Sequence, residues 1–173
     1  MVPLTPPKPT AKDLASELAK PFEGLRLEAY FDPVGYPTQG YGRLLLRQEW
    51  GPAGSPPKTP EQKKALNDWL QSKYPPITEE TAEEWLEEDM DTAYRSVLRL
   101  CPGAANAHQV AALTDFAYNC GGGNLEISRL RRMVNRQDDL AAEEFGKWVY
   151  ARGVKLTGLV RRRAAEKQMY MAG

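Results

Sequence analysis

Residues 107–120, Ala-His-Gln-Val-Ala-Ala-Leu-Thr-Asp-Phe-Ala-Tyr-Asn-Cys, are apolar nearly all round at helical spacing. A helix without a broad polar stripe has to be enclosed by other elements, so this segment predicts a buried central helix inside a helical body. Gly121-Gly122-Gly123 is expected to stop it. The 173 residues are enough for one medium domain with a real core, folded as one lobe or two. Lys and Arg number 23, as do Asp and Glu, and zero formal net charge argues against a dedicated nucleic-acid binder. No apolar run approaches the ~18 residues of a membrane-crossing helix. Residues 1–10, rich in Pro and lacking an apolar stretch of secretory type, read as an extended lead-in with no signal peptide.

The chemistry open to the chain is narrow. Cys101 and Cys120 lack CxxC spacing and sit among apolar residues, which predicts reduced, partly buried thiols, with a single bridge as the alternative. His108 is the one histidine, so a His-based zinc site or a Ser-His-Asp triad is not expected. Carboxylates, hydroxyls, amides and arginines remain, with no metal and no cofactor.

Thr10 followed by Asp13 resembles a capping box and opens a short amphipathic helix over 11–22 carrying Leu14, Leu18 and Phe22. Pro21 disturbs its last turn, so Glu23 is expected at or just past a bent helix end. From Ala29 to Arg47 the texture changes to aromatics, Gly and Pro, as in short strands joined by tight turns, with Asp32-Pro33-Val34-Gly35 as one turn. Residues 48–59 form a loop. A helix follows from Pro60 to about Lys73, capped by Thr59, with Ala65, Leu66, Trp69 and Leu70 inward. Pro75-Pro76 breaks the chain, and Thr78 opens a long helix to about Leu100 whose stripe runs through Ala82, Leu86, Met90, Ala93 and Val97. Eight acids between Glu79 and Asp91 suit the N-terminal half of that helix. Three more helices are expected over about 127–136, 138–151 (capped by Asp138) and 157–170. Of the four tryptophans, Trp50 in the Gly/Pro loop is the one placed to serve as a sugar platform.

Two carboxylates flank the β excursion. Glu23, between Phe22 and Leu25, is expected to feel desolvation, which favours its protonated form, whereas Asp32 in a polar turn is expected to stay ionised. Unequal environments for two neighbouring carboxyls are what cleavage of a glycosidic bond needs: one donates a proton to the leaving oxygen while the other handles water. Thr38 adds a hydroxyl able to hold that water.

The string Phe22-Glu23-Gly24-Leu25-Arg26-Leu27-Glu28-Ala29-Tyr30, then Asp32, then Pro37-Thr38-Gln39-Gly40-Tyr41-Gly42, resembles the phage-type lysozymes of glycoside hydrolase family 24. Their signature is Glu, eight residues, Asp or Cys, five residues, Thr; Glu23, Asp32 and Thr38 keep both spacings. Residues 77–99 are similar to the family's lobe-joining helix, 109–123 to its buried helix and 157–166 to its C-terminal segment. The resemblance implies a lysozyme-like α+β fold, predominantly helical. It divides into a small β-containing lobe at about 24–76, a connecting helix at 77–100 and a helical lobe at 101–173 on which helix 11–22 packs.

The resemblance further implies an endolysin, a muramidase hydrolysing the β-1,4 bond between N-acetylmuramic acid and N-acetylglucosamine of peptidoglycan. Glu23 would be the general acid, with Asp32 and Thr38 positioning water. An inverting enzyme of this kind separates its carboxyls by roughly 6.5–9.5 Å. Leu44, Tyr118 and Asn119 are implied as substrate contacts, and an arginine of 161–163, Arg161 or Arg162, as the partner of Glu23. The family usually shows Thr-Ile-Gly-Tyr-Gly-His; here Gln39 and Arg43 stand in place of the Ile and the His. The family's His pairs with an acid on the long helix, so an Arg43–Asp89 pair is expected, without the pH switch of an imidazole. The implied setting is a monomer held in the host cytoplasm until a separate holin-type protein opens the membrane. A virion-borne lysozyme domain, a lytic transglycosylase acting through one acid, and a wall-binding module without catalysis are the alternatives.

Overall fold

The computed structural model describes residues 8–173, so most of the expected lead-in, residues 1–7, lies outside the described residues. The chain divides into two compact units. One is Glu23–Glu88; the other joins the residues up to Phe22 with Asp89–Gly173.

In the first unit β1 (Arg26–Phe31), β2 (Pro37–Gly40) and β3 (Arg43–Leu44) form an antiparallel sheet in that order. Tyr30 faces Thr38 and Phe31 faces Pro37 across β1–β2, with an irregularity between Arg26 and Tyr30, while Thr38 faces Leu44 across β2–β3. α2 (Pro60–Lys73) starts and ends as the sequence predicts. Thr59 Oγ1 accepts from the Gln62 amide, and Gln62 Oε1 accepts in return from the Thr59 amide, which completes a reciprocal cap. Leu66 and Leu70 are buried and Trp69 half-buried, but Ala65 is exposed, contrary to expectation. It lines a groove of about 550 Å³ together with Pro52, Pro56, Pro57 and Trp69. Gln71 Nε2 donates to the Ala29 carbonyl and so ties α2 to β1. Gln39, on β2, is 1% exposed, and its Nε2 donates to the carbonyls of Leu27 (2.8 Å) and Pro75 (3.0 Å). The amide that replaces the family's apolar residue therefore joins two backbone segments, as a second donor to the Leu27 carbonyl beside the Ile77 amide and as a donor to that of Pro75.

α1 (Ala11–Glu23) begins with the reciprocal cap expected from Thr10 and Asp13, the Thr10 amide donating to Asp13 Oδ2 and the Asp13 amide to Thr10 Oγ1. It runs through Pro21 and ends at Glu23. α3 (Glu79–Leu100) carries the predicted buried stripe from Ala82 to Leu100, with Leu98 left exposed; the division between the units falls inside it. α4 (Ala107–Cys120) is buried continuously from Ala111 to Ala117 and is capped by Asn106. Phe116 lies edge-on to both Phe145 and Trp148 in the core of the second unit. α6 (Arg129–Asn135) and α7 (Thr157–Met171) lie close to expectation.

Three features of the second unit differ. Gly121 (φ 90°) ends α4 as expected, but a further helix not foreseen, α5 (Gly122–Ile127), starts at once around buried Leu125. The expected helix over 138–151 is a 3-10 segment, Ala141–Lys147, followed by an antiparallel hairpin of β4 (Tyr150–Ala151) and β5 (Val154–Lys155). Arg152 and Gly153, both at positive φ, form its tip. Both thiols are free: Cys101 is buried, and that burial pushes it up to about 11.

Replacing Gln39 by Ala should cost about 1–3 kcal/mol, because two hydrogen bonds from a buried side chain, each worth about 0.5–1.5 kcal/mol, are lost. Urea unfolding of Gln39→Ala beside the parent protein checks this, with the slope unchanged and the midpoint lowered.

Candidate active site

Glu23, Asp32 and Thr38 all belong to the unit Glu23–Glu88. The turn after β1 is built on Asp32. Its Oδ1 accepts from the amides of Val34 (2.9 Å), Gly35 (2.7 Å) and Tyr36 (2.9 Å), and its own backbone exchanges bonds with Gly35 and Tyr36. The side chain does what short acids do in turns, taking amides that no strand partner supplies. Gly35 is at φ 107°, a conformation that a side chain would strain. Among the described residues, every hydrogen bond to this carboxylate ends on Oδ1.

Thr38, on β2, is buried, and its Oγ1 donates to the Tyr36 carbonyl at 3.0 Å. With its proton committed, the hydroxyl is left to act as an acceptor. Glu23 is half-buried at the end of α1, and its Oε2 lies 3.3 Å from where a Cβ on Gly42 would stand. The turn between β2 and β3 thus admits the carboxylate because Gly42 has no side chain there.

Tyr30 connects these groups, and sequence reasoning assigned it no role. It faces Thr38 across the strands, and the Arg26 guanidinium lies 4.4 Å from its ring centre. Burial raises the Tyr30 phenol above its usual range; Arg26 opposes this, while the charges of Asp32 and Glu23 both add to it. Both carboxylates are therefore within electrostatic reach of one phenol. Leu44, facing Thr38 from β3, is 40% exposed. Arg43 Nη2 donates to Glu88 Oε2 at 2.8 Å, and the guanidinium lies 5.1 Å from the Trp85 ring centre.

The other expected site residues, Asp89, Tyr118, Asn119, Arg161 and Arg162, belong to the second unit. Arg162 is 3% exposed and makes a two-pronged ion pair with Asp115, Nε to Oδ2 at 2.9 Å and Nη2 to Oδ1 at 2.8 Å. The rings of Phe22 and Tyr118 lie 5.6 Å and 6.0 Å from its guanidinium. Arg163 donates to Asn119 Oδ1, Cys120 Sγ and Glu166 Oε1. Arg161 is exposed. Arg162 and Arg163 are thus interior struts holding the end of α4. Asp115 and Glu166, both 0% exposed, were not singled out from sequence because isolated acids normally mark solvated positions. Burial and contact with Asp115 push the Glu166 carboxyl well above its ordinary 4.5, against the pull of Arg163.

Fold and site together define a lysozyme-like protein. A family model described as phage lysozyme matches residues 20–166, and the chain belongs to that family. It is 33% identical over 159 residues to the endolysin of Bacillus phage B103, a match covering 90% of this chain and 52% of that protein. The chain spans about half the length of that relative and of the endolysin of Bacillus phage PZA. Among solved structures, it is similar to the endolysin from Escherichia coli O157:H7 phage FAHEc1 (26% identity, TM-score 0.72, 96% of each chain covered). It is also similar to the muramidase domain of SpmX from Asticaccaulis excentricus (27% identity, TM-score 0.71, 92% of this chain and 95% of that one). No helix among the described residues is long and apolar enough to cross a membrane.

The buried acid pair has a pH signature. The folded protein keeps a proton on Glu166 that the unfolded chain releases above about pH 4.5, so this group's contribution is full below that pH and declines as pH rises. Melting curves of Glu166→Gln, which keeps an acceptor for Arg163 but cannot ionise, should gain on the parent protein as pH rises above about 4.5. Glu166→Leu leaves Arg163 without that acceptor and should lose about 3 kcal/mol or more throughout.

Proposed function

We propose that the protein is a muramidase-type endolysin, a glycoside hydrolase that cleaves the β-1,4 bond between N-acetylmuramic acid and N-acetylglucosamine in peptidoglycan. The observation that carries this reading is the Asp32 carboxylate, fixed through Oδ1 by three amides on the unit that also bears Thr38 and Glu23. Similarity to a protein titled an endolysin and to one titled a muramidase domain supports the substrate.

In this reading Glu23 gives its proton to the glycosidic oxygen as the bond to the anomeric carbon breaks. A water takes the opposite face. Asp32 Oδ2 and Thr38 Oγ1 are both acceptors, because Oδ1 is taken up by amides and the Thr38 proton by Tyr36. A water that turns one hydrogen to each of them presents its own lone pair to the anomeric carbon. As the new carbon–oxygen bond forms, Asp32 takes the proton lost by the water, and the reducing end inverts. Arg26 beside Tyr30 keeps a positive charge near the carboxylates throughout.

The remaining assignments extend the same reading. Leu44, Tyr118 and Asn119 contact the glycan, and Arg43 is matched in charge by Asp89. Arg162 rather than exposed Arg161 supports Glu23, given its contact with the ring of Phe22, the preceding residue. The enzyme acts as a monomer on the wall, after a separate holin-type protein releases it from the host cytoplasm.

Clearing of permeabilised Gram-negative cells should fall about 10²- to 10⁴-fold in Glu23→Gln and in Asp32→Asn, with both proteins folded. Thr38→Val, which keeps shape but removes the acceptor, should lose less. Mass spectrometry of the released fragments should show reducing muramic acid ends. Anhydro ends would move the assignment to a lytic transglycosylase, and full clearing by Glu23→Gln would remove it as the acid.

A further inference from the structure

We propose that Trp50 is a positioning residue that sets the Asp32 carboxylate through Gly35; its bearing on activity rests on the reading of Asp32 given above. Trp50 lies in the Gly/Pro loop, outside the sheet, at φ 55° and ψ 20°. That left-handed conformation is uncommon for a bulky residue and persists only where surrounding contacts enforce it. Here they are visible. The Trp50 amide donates to the Gly35 carbonyl at 2.6 Å, and the indole stacks on Phe31 at 5.5 Å with 28° between planes. The indole also sits so close over Gly35 that a Cβ built there would stand 2.4 Å from it. Beside it, the Tyr36 hydroxyl donates to Glu49 Oε1 at 3.1 Å.

Gly35 is the shared link. Its N–H donates to Asp32 Oδ1, and its C=O receives the Trp50 N–H. Phe31 and Gly35, the residues under the indole, bracket the segment that holds Asp32. Trp50 therefore presses on the turn from one side while the carboxylate pulls three amides from the other. With the indole engaged by Phe31 and Gly35, its role is mechanical, and the expectation of a sugar platform gives way to that of a clamp. Loss of the clamp frees the Gly35 peptide to rotate, and Asp32 moves with it. Displacements near 1 Å at a reacting group cost on the order of 100-fold in rate.

Trp50→Ala should lower kcat on soluble peptidoglycan fragments about 10- to 100-fold with KM little changed, and Trp50→Phe, which keeps a stacking ring, should recover most of it. In an Asp32→Asn background, Trp50→Ala should add no further loss. Gly35→Ala, which displaces the indole without removing it, should copy Trp50→Ala. The positioning itself is read by NMR without any assay of activity. The Val34, Gly35 and Tyr36 amide signals and the Asp32 carboxyl titration should shift in Trp50→Ala and return in Trp50→Phe. Unmoved signals overturn the clamp whatever the activity, and so does a loss that falls on KM alone or persists in the Asp32→Asn background. Full activity of Asp32→Asn with the NMR shifts present refutes the role of Asp32 and leaves the clamp standing.

Discussion

Three consecutive amides, those of Val34, Gly35 and Tyr36, converge on one oxygen of Asp32, and the sheet is built outward from that turn. An anionic acceptor answers all three donors at once; in Asp32→Ala the Gly35 amide would keep the backbone carbonyl of that residue, while those of Val34 and Tyr36 would lose their acceptor, at about 1–3 kcal/mol for each one kept from water. The same bonds fix where β2 begins. They thereby fix the register that sets Thr38 against Tyr30 and Leu44. Oδ1 holds the backbone, which in the mechanism proposed above leaves Oδ2 for the water.

The second unit solves its own positioning problem with charge. Arg162 and Arg163, consecutive residues in the middle of α7, are buried against Asp115, Glu166 and Asn119, with aromatic faces of Phe22, Phe116 and Tyr118 around them. Such a cluster costs desolvation and adds little net stability over apolar packing. Its forked geometry does fix one relative placement of α4 and α7, which interchangeable methyl groups would not. Tyr118 and Asn119 occupy the fixed end, and so the residues assigned to substrate contact inherit their precision from buried arginines.

Much of the fold was legible because its helices announce their own ends. Thr10 with Asp13 and Thr59 with Pro60 each match an observed start. The site was legible through the spacing of Glu23, Asp32 and Thr38 and its likeness to a family pattern. What escaped were features decided by tertiary packing. α5 opens on two glycines, whose propensity opposes a helix, and it forms around Leu125. The β4–β5 hairpin turns through Arg152 in a left-handed conformation more usual for Asn or Gly. Tyr30, Asp115 and Glu166 lacked a signal because a lone polar residue on an apolar face gives no hint of which charges will surround it. Trp50 was visible as an exception in its loop, but only the stacked Phe31 and the bare Gly35 disclose its use.

The second unit is discontinuous along the chain, its first helix separated from the rest by the whole of the first. During synthesis α1 leaves the ribosome first, yet its partners, Asp91 for Lys12 and Arg162 for Phe22, are translated long after. Residues 23–88 can close their own contacts meanwhile. Until then the apolar side of α1 has nothing to cover it, which makes the nascent chain, more than the finished protein, the state in which this fold is vulnerable to aggregation.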